Sequence, residues 1–401
     1  MHALPYDEAR TALRGRRLPA VLVDLDALER NVDRVAEMIR DRGTPLRMAT
    51  KSVRVVDLIQ RILARGGKDF RGLMCFAIEE AAFLAGHGFD DLLVAYPTFQ
   101  RHDVELAAKL TAEGRRVRII TDSTEGVSRF GEVARAVGVT LEVVLCVDMS
   151  LQLASQHLGV HRSPLHDPRD VVDLARRVDA TAGTRFGGIM GYEAQVAGLG
   201  DDSPFEPLLN PAKALVRRVS IFELGRRRAA MARALSEAGL PPELVNGGGT
   251  GSLHSTTPDT GVTELTAGSA FLKPHLFDYY RDPHMQALEP ACYFALEVTR
   301  KPRPEMATCL GGGYVASGAV SPDKVPRVVL PEGLSLVETE MCGEVQTPLQ
   351  GAEDVRIGDP VLFRHAKGGE LAERFSHYLL VRGGEVEAEV PTYRGQGQCF
   401  F

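Results

Sequence analysis

The sequence predicts an α/β chain built as a (β/α)8 TIM barrel followed by a separate all-β domain. From residue 18, strand-like and helix-like segments alternate with little interruption, the pattern of repeated βα units. The strand-like runs are continuously apolar, which implies a parallel sheet covered on its outer face. After about residue 285 the helical periodicity fades, and Pro290, Pro302, Pro304, Pro322, Pro326, Pro331 and Pro348 punctuate short alternating segments, the texture of a β-domain.

Taken in order, Ala20 to Leu25 is the first expected barrel strand, followed by an amphipathic helix with Leu28, Val32, Val35, Ala36 and Ile39 at helical spacing. Gly43-Thr44-Pro45 ends that helix, and a short apolar strand then runs from Pro45 into Lys51. The next strands are Gly72 to Ala77, Asp91 to Tyr96, Val117 to Thr121, Leu141 to Val147, Phe186 to Tyr192, and Leu244 to Asn246 running into a glycine run. Eight βα units in roughly 250 residues favour a closed barrel over an open doubly wound sheet. Strands expected in the β-domain are Tyr293 to Thr299, Ala307 to Leu310, Leu334 to Glu340, Pro360 to His365, His377 to Arg382 and Glu385 to Val390. The expected domains are thus a lead over 1–17 packing on the β-domain, the barrel over 18–285 and the β-domain over 286–401.

The bulk numbers limit the partners. With 401 residues, 44% hydrophobic and 25% charged, the composition is that of an ordinary globular protein. A net charge of -6 offers no polybasic footprint, so neither nucleic acid nor an anionic membrane is expected. The start is polar with no apolar signal region, and no run reaches the ~18 apolar residues of a membrane span; the expected location is cytoplasmic. Cys75, Cys146, Cys292, Cys309, Cys342 and Cys399 are scattered without a CxxC pair, which fits reduced thiols rather than a disulfide framework or zinc site.

Chemistry concentrates where strands end. A lysine at the mouth of a buried strand is partly desolvated, which favours a free amine able to form a Schiff base with an aldehyde, and pyridoxal 5'-phosphate (PLP) is the usual one. Lys51 stands at such a place. The run Asn246 to Ser252 offers unhindered N–H groups and two hydroxyls, the needs of a phosphate cradle, and phosphate sites often lie after late barrel strands. A flexible turn is the bland alternative. Tyr192 is aimed at the barrel mouth or caps the core. Arg162 binds a carboxylate or tunes the cofactor's phenolic oxygen, unless it is a surface arginine. His365, leaving a strand into Ala366-Lys367-Gly368-Gly369-Glu370, is a metal ligand, a general base or a satisfied structural histidine. The run Gly311-Gly312-Gly313-Tyr314 brings a tyrosine near the site or serves as a flexible loop.

In this order the pieces resemble fold-type III PLP enzymes, specifically the D-threonine aldolase and D-serine dehydratase branch of the alanine-racemase-like group. The resemblance covers nearly the whole chain. It rests on the opening Leu18 to Val32, the Lys51 strand end, Gly191-Tyr192-Glu193, Gly247 to Ser252 and Glu264 to Ser269. The stretches Gly343 to Pro348 and His365 to Glu370 look like a bacterial subgroup labelled amino acid deaminase/aldolase. The resemblance implies that Lys51 holds PLP, that Gly248, Gly249 and Thr250 bind its phosphate, and that Tyr192 lies at the cofactor ring. It also implies a barrel of the alanine racemase N-terminal type, and a homodimer in which each β-domain approaches the partner's barrel mouth.

One departure matters. That branch carries a metal-binding His-x-Asp or His-x-Cys in its β-domain, whereas here His365 is followed by Lys367. A lysine ammonium cannot ligate a divalent cation such as Mn or Zn, so the metal is absent or Glu370 or another side chain replaces the ligand. The expected function is a PLP-dependent lyase on a D-configured β-hydroxy amino acid, by retro-aldol cleavage or dehydration with deamination, with Lys51 and His365 catalytic. A racemase using Tyr314 as second base and a PLP-binding protein without turnover are the alternatives.

Overall fold

Short strands, most of them apolar and followed by a covering helix, close here into a barrel. The computed structural model describes residues 4–40, 43–153, 156–256, 261–319 and 321–400. The barrel strands are Leu46–Ala49, Phe70–Cys75, Leu92–Val94, Val117–Thr121, Leu141–Cys146, Thr184–Met190, Leu244–Gly247 and Glu264–Ala267. Each pairs in parallel with the next, and Leu265 of the last strand lies opposite Leu46 of the first.

The expected first strand, Ala20–Asp24, does not belong to this barrel. It pairs antiparallel with Cys292–Arg303 and parallel with His377–Arg382, inside the sheet of the β-domain. Val21 and Val23 enter one buried cluster while Leu22 enters another; a strand covered on both faces reads as continuously apolar in either setting. The eighth place is filled by Glu264–Ala267, whose short Glu-Leu-Thr-Ala sequence carries no such apolar signal.

The barrel is not lined by apolar side chains alone. Leu93, Ile120, Val144, Met190 and Leu244 form one cluster. At the N-terminal ends of the strands, Arg47 bonds Glu264 at 2.6 Å and Asp91 at 3.1 Å, and Arg118 bonds Glu142 at 2.5 Å and Asp91 at 2.7 Å. Burying Arg47, Arg118 and Glu264 is tolerable because every charge meets an opposite one. That end of a barrel serves stability, leaving the C-terminal end for chemistry.

Helix Leu25–Arg40 buries Leu28, Val32, Val35, Ala36 and Ile39, as its periodicity predicts. The long helix Asn210–Glu237 behaves otherwise. It buries Leu224, Met231 and Leu235 but leaves Leu215, Val219 and Phe222 exposed.

Among the described residues, the second domain is built on a nine-stranded sheet. His377–Arg382 has the expected bounds, and Leu334 to Glu340 shrinks to Ser335–Leu336. Arg327–Leu330 and Gln346–Gln350 are strands that sequence reasoning missed. Helix Tyr6–Leu13 packs Ala9, Ala12 and Leu13 against Tyr293, Leu362 and Leu379 of this sheet, and the Tyr6 hydroxyl donates to the Pro360 carbonyl at 2.8 Å. Among the described residues, no helix is long and apolar enough to cross a membrane.

One contact brings the β-domain onto the barrel mouth. Helix Gly368–Leu371 lies against the turn Thr50–Ser52, so close that a Cβ on Gly369 would stand 1.8 Å from the Lys51 carbonyl oxygen.

Candidate active site

The strand Leu46–Ala49 stops two residues short of Lys51, which sits in a single 3-10 turn, Thr50–Ser52. The Thr50 hydroxyl donates to the Met74 carbonyl at 2.9 Å, and the Ser269 hydroxyl donates to that of Ser52 at 3.1 Å. The turn is thereby pinned from both sides. Lys51 itself is exposed rather than partly desolvated, and its Nζ donates to the Tyr96 hydroxyl at 2.8 Å.

Tyr96, just past the strand Leu92–Val94, was not singled out from the sequence as a site residue. Burial pushes its phenol up, but the Lys51 charge, the Lys51 hydrogen bond and Arg162 together bring it below its ordinary value. Arg162 follows the hairpin strands Leu151–Leu153 and Gln156–Leu158. Its guanidinium carbon stands 5.7 Å from the centre of the Tyr96 ring and 5.3 Å from that of Tyr192, within cation–π range of both. Burial pushes the Tyr192 phenol up to about 12, with Arg162 opposing and Glu193 assisting. Tyr192 is therefore a neutral hydrogen-bond donor at any physiological pH.

The glycine run adjoins this group through Ser269 and Ala270: the Ala270 N–H donates to the Thr250 hydroxyl oxygen at 3.1 Å. The three predicted phosphate ligands differ in what they offer. The Gly248 N–H is already committed to Glu193 Oε1 at 3.0 Å. Gly248 adopts φ +96, a left-handed conformation that suits glycine. The N–H groups of Gly249 and Thr250 have no protein acceptor among the described residues. A Cβ on Gly249 would approach the Tyr192 ring to 3.1 Å and the Ala197 Cβ to 2.6 Å. Only glycine lets the backbone come this near the ring.

Glu193 organises the loop. Besides Gly248 it accepts from the Thr256 hydroxyl at 2.6 Å and from Arg228 at 3.1 Å, all buried. Its place beside Tyr192 was visible in the sequence, but its partners lie 35 to 63 residues away.

His365 is 4% exposed. Its Nδ1 accepts from the Lys367 N–H at 3.1 Å and lies against the Lys367 carbonyl oxygen. Burial pulls its basicity below the ordinary histidine value. Among the described residues, the group of side chains close enough to hold a metal ion is His254, Asp282 and His284, without His365.

A (β/α)8 barrel with a lysine beyond its first strand, two tyrosines and an arginine at its mouth, and a glycine loop with unclaimed N–H groups has the parts of a PLP site. The chain belongs to the alanine racemase N-terminal domain family, whose model matches residues 23–272, and so to the fold-type III PLP enzymes. It is 28% identical over 386 residues, 94% of this chain and 92% of the relative, to 3-hydroxy-D-aspartate aldolase of Paracoccus denitrificans. The structure resembles that of D-threonine aldolase from Filomicrobium marinum, with TM-score 0.77 and 23% identity over 95% of this chain and 96% of that one. A cysteine-to-alanine mutant of D-threo-3-hydroxyaspartate dehydratase, solved in the metal-free form, matches with TM-score 0.74 and 22% identity over 95% and 98%.

Proposed function

We propose that the chain is a PLP-dependent lyase acting on a D-configured β-hydroxy amino acid, by retro-aldol cleavage or by dehydration with deamination. The observation that carries this reading is the Lys51 amino group held by Tyr96 at the barrel mouth, in the same site as the open N–H groups of Gly249 and Thr250. The activities named for its relatives, 3-hydroxy-D-aspartate aldolase, D-threonine aldolase and D-threo-3-hydroxyaspartate dehydratase, support the substrate class.

PLP supplies an electron sink for the pair released when a bond to Cα or Cβ breaks. Lys51 Nζ would hold the cofactor through its aldehyde and, at the barrel mouth beside Tyr96, would be placed to hold or move a proton at the substrate Cα. Tyr96 orients Nζ through its hydroxyl. The N–H groups of Gly249 and Thr250, with the Thr250 hydroxyl, would hold the phosphate, while Gly248 shapes the loop through Glu193. Tyr192 would lie at the ring as a neutral phenol, and Arg162 spans the tyrosine faces and adds positive charge to the mouth.

His365 enters this reading as a positioning residue, since its ring is tied to the main chain of the turn that packs on Lys51. Tyr314, the candidate second base of a racemase, stacks edge-on against Phe294 and Phe375, so no observation favours racemisation. The proposal includes a homodimer working in the cytoplasm. The exposed Leu215, Val219 and Phe222 support association, and Cys75, Cys146, Cys292, Cys309 and Cys342, which stand as thiols, support a reducing compartment.

The test is to incubate the PLP-loaded protein with a panel of D- and L-β-hydroxy amino acids and identify products. Glycine plus aldehyde means aldolase, and keto acid plus ammonia means dehydratase. The enantiomer alone, or no product, overturns the lyase. Borohydride should fix the cofactor to Lys51 and fail in Lys51→Ala; an adduct on another lysine overturns the central assignment.

A further inference from the structure

The turn that carries His365 contains a cation of its own. Lys367 Nζ donates to the Ser317 carbonyl at 2.7 Å and to the Ser317 hydroxyl oxygen at 2.8 Å, and stands 3.3 Å from Glu370 Oε1. Ser317 closes the group by donating its N–H to Glu370 Oε2 at 2.8 Å and its hydroxyl to Glu370 Oε1 at 2.5 Å. The charges of both Lys367 and Glu370 act on the His365 ring.

A divalent cation at this turn would need lone pairs, and the turn offers few that are not already engaged. His365 Nδ1 is engaged by the Lys367 main chain, and the Tyr314 main chain also bonds the ring. Lys367, in the position of the expected aspartate or cysteine, presents only N–H donors. Glu370 would be the natural replacement ligand, yet both its oxygens are taken by Ser317 and one also faces the ammonium. An incoming ion would meet a fixed positive charge instead of a second anion. The residues therefore do not fit the metal.

We infer that Lys367, clamped by Ser317 and Glu370, is a built-in ammonium in place of an exchangeable divalent cation, and that the chain works without a metal at His365. The inference gives its meaning to the lyase reading, but its test does not depend on that reading. A protein that fails the substrate panel still binds, or does not bind, metal at this turn.

The experiment strips the PLP-loaded protein with EDTA, exposes it to excess Zn²⁺ or Mn²⁺, desalts it and measures bound metal by mass spectrometry. His254→Ala, an exposed change that removes the other candidate group, is the background in which the turn is read. That protein should retain no metal, and unmodified protein should keep full turnover after EDTA. Lys367→Cys in the same background puts a thiolate two residues from His365 and should gain about one zinc per chain, lost again when His365→Ala is added. Borohydride fixation of PLP at Lys51 and thermal unfolding report whether each variant is folded. One equivalent of metal in His254→Ala that depends on His365, loss of turnover in EDTA with recovery on Mn²⁺ in that same background, or a folded Lys367→Cys that gains no zinc would each overturn the inference.

Discussion

The Lys51 amino group and the Tyr96 hydroxyl lie 2.8 Å apart, with the ammonium donating and the phenol accepting. The Lys51 charge therefore bears on the ionisation of Tyr96. With Lys51 and Arg162 favouring the phenolate, Tyr96 should ionise below the ordinary tyrosine value of 10.0, while burial holds Tyr6 and Tyr192 near 12. A near-ultraviolet titration of the cofactor-free protein should show an early tyrosinate step that vanishes in Tyr96→Phe. In Lys51→Met the step should move to higher pH, since the charge that favours the phenolate is gone. A first step unchanged in both variants would break the link.

Glu193 offers a test of the loop rather than of the lysine. Its carboxylate meets Arg228, Thr256 and Gly248 in a buried place. Glu193→Ala leaves Arg228 without that anion, and removing one partner of a buried pair costs about 3–5 kcal/mol. The variant should unfold at lower urea concentration and bind PLP at least ~10-fold more weakly, because Gly248 no longer fixes the path of Gly249 and Thr250. Unchanged PLP affinity in a folded variant would show that Glu193 does not shape the cradle.

How far the sequence reached follows from where each signal lives. Continuous apolar runs and the helices between them are local, so Val117–Thr121 and helix Leu25–Arg40 were legible, as were Lys51 and the glycine loop. Sheet membership is not local. Ala20–Asp24 is covered on both faces and reads like any barrel strand, while Glu264–Ala267 needs Arg47 and Asn246 beside it before its glutamate makes sense. The site has the same asymmetry. Tyr192 and Arg162 were legible as residue types near strand ends, but the commitment of Gly248 to Glu193 and of Tyr96 to Lys51 are meetings of residues 55 and 45 positions apart. Sequence spacing does not record such meetings.

Leu215, Val219 and Phe222 follow one another at i, i+4 and i+7 on a single face of helix Asn210–Glu237, and Phe222 is 77% exposed. An apolar stripe of this kind is what a second copy would cover. Light scattering should find a dimer at micromolar concentration, and Phe222→Glu should shift it towards monomer without loosening the barrel. A native protein that is monomeric and fully active would remove the homodimer. Persistence of the dimer in Phe222→Glu would place its interface elsewhere.

Glu80 lies beneath the turn that carries Lys51. Its carboxyl is fully buried, accepting from the Phe76 N–H at 2.7 Å and from the Tyr393 hydroxyl at 3.0 Å. Burial raises it from 4.5 to about 7, against the lowering effect of its hydrogen bonds with Thr50, Phe76 and Tyr393 and of the Arg54 charge. The folded chain thus holds a proton that the unfolded chain releases between pH 4.5 and 7, so this group's contribution is present below 4.5 and lost as pH rises through 7. The loss amounts to roughly 3 kcal/mol at one pKa unit per 1.36 kcal/mol. His275, pulled down to about 4 chiefly by burial, acts in the opposite sense below pH 6.5, so stability of the native protein alone does not isolate Glu80. The difference between native protein and Glu80→Gln does, because His275 is common to both. Urea unfolding at pH 5 and pH 8 should show Glu80→Gln gaining on the native protein by a few kcal/mol as pH rises. Parallel stability curves across that range would mean that Glu80 stays ionised in its buried place, with Arg54 and the Thr50, Phe76 and Tyr393 hydrogen bonds outweighing the burial.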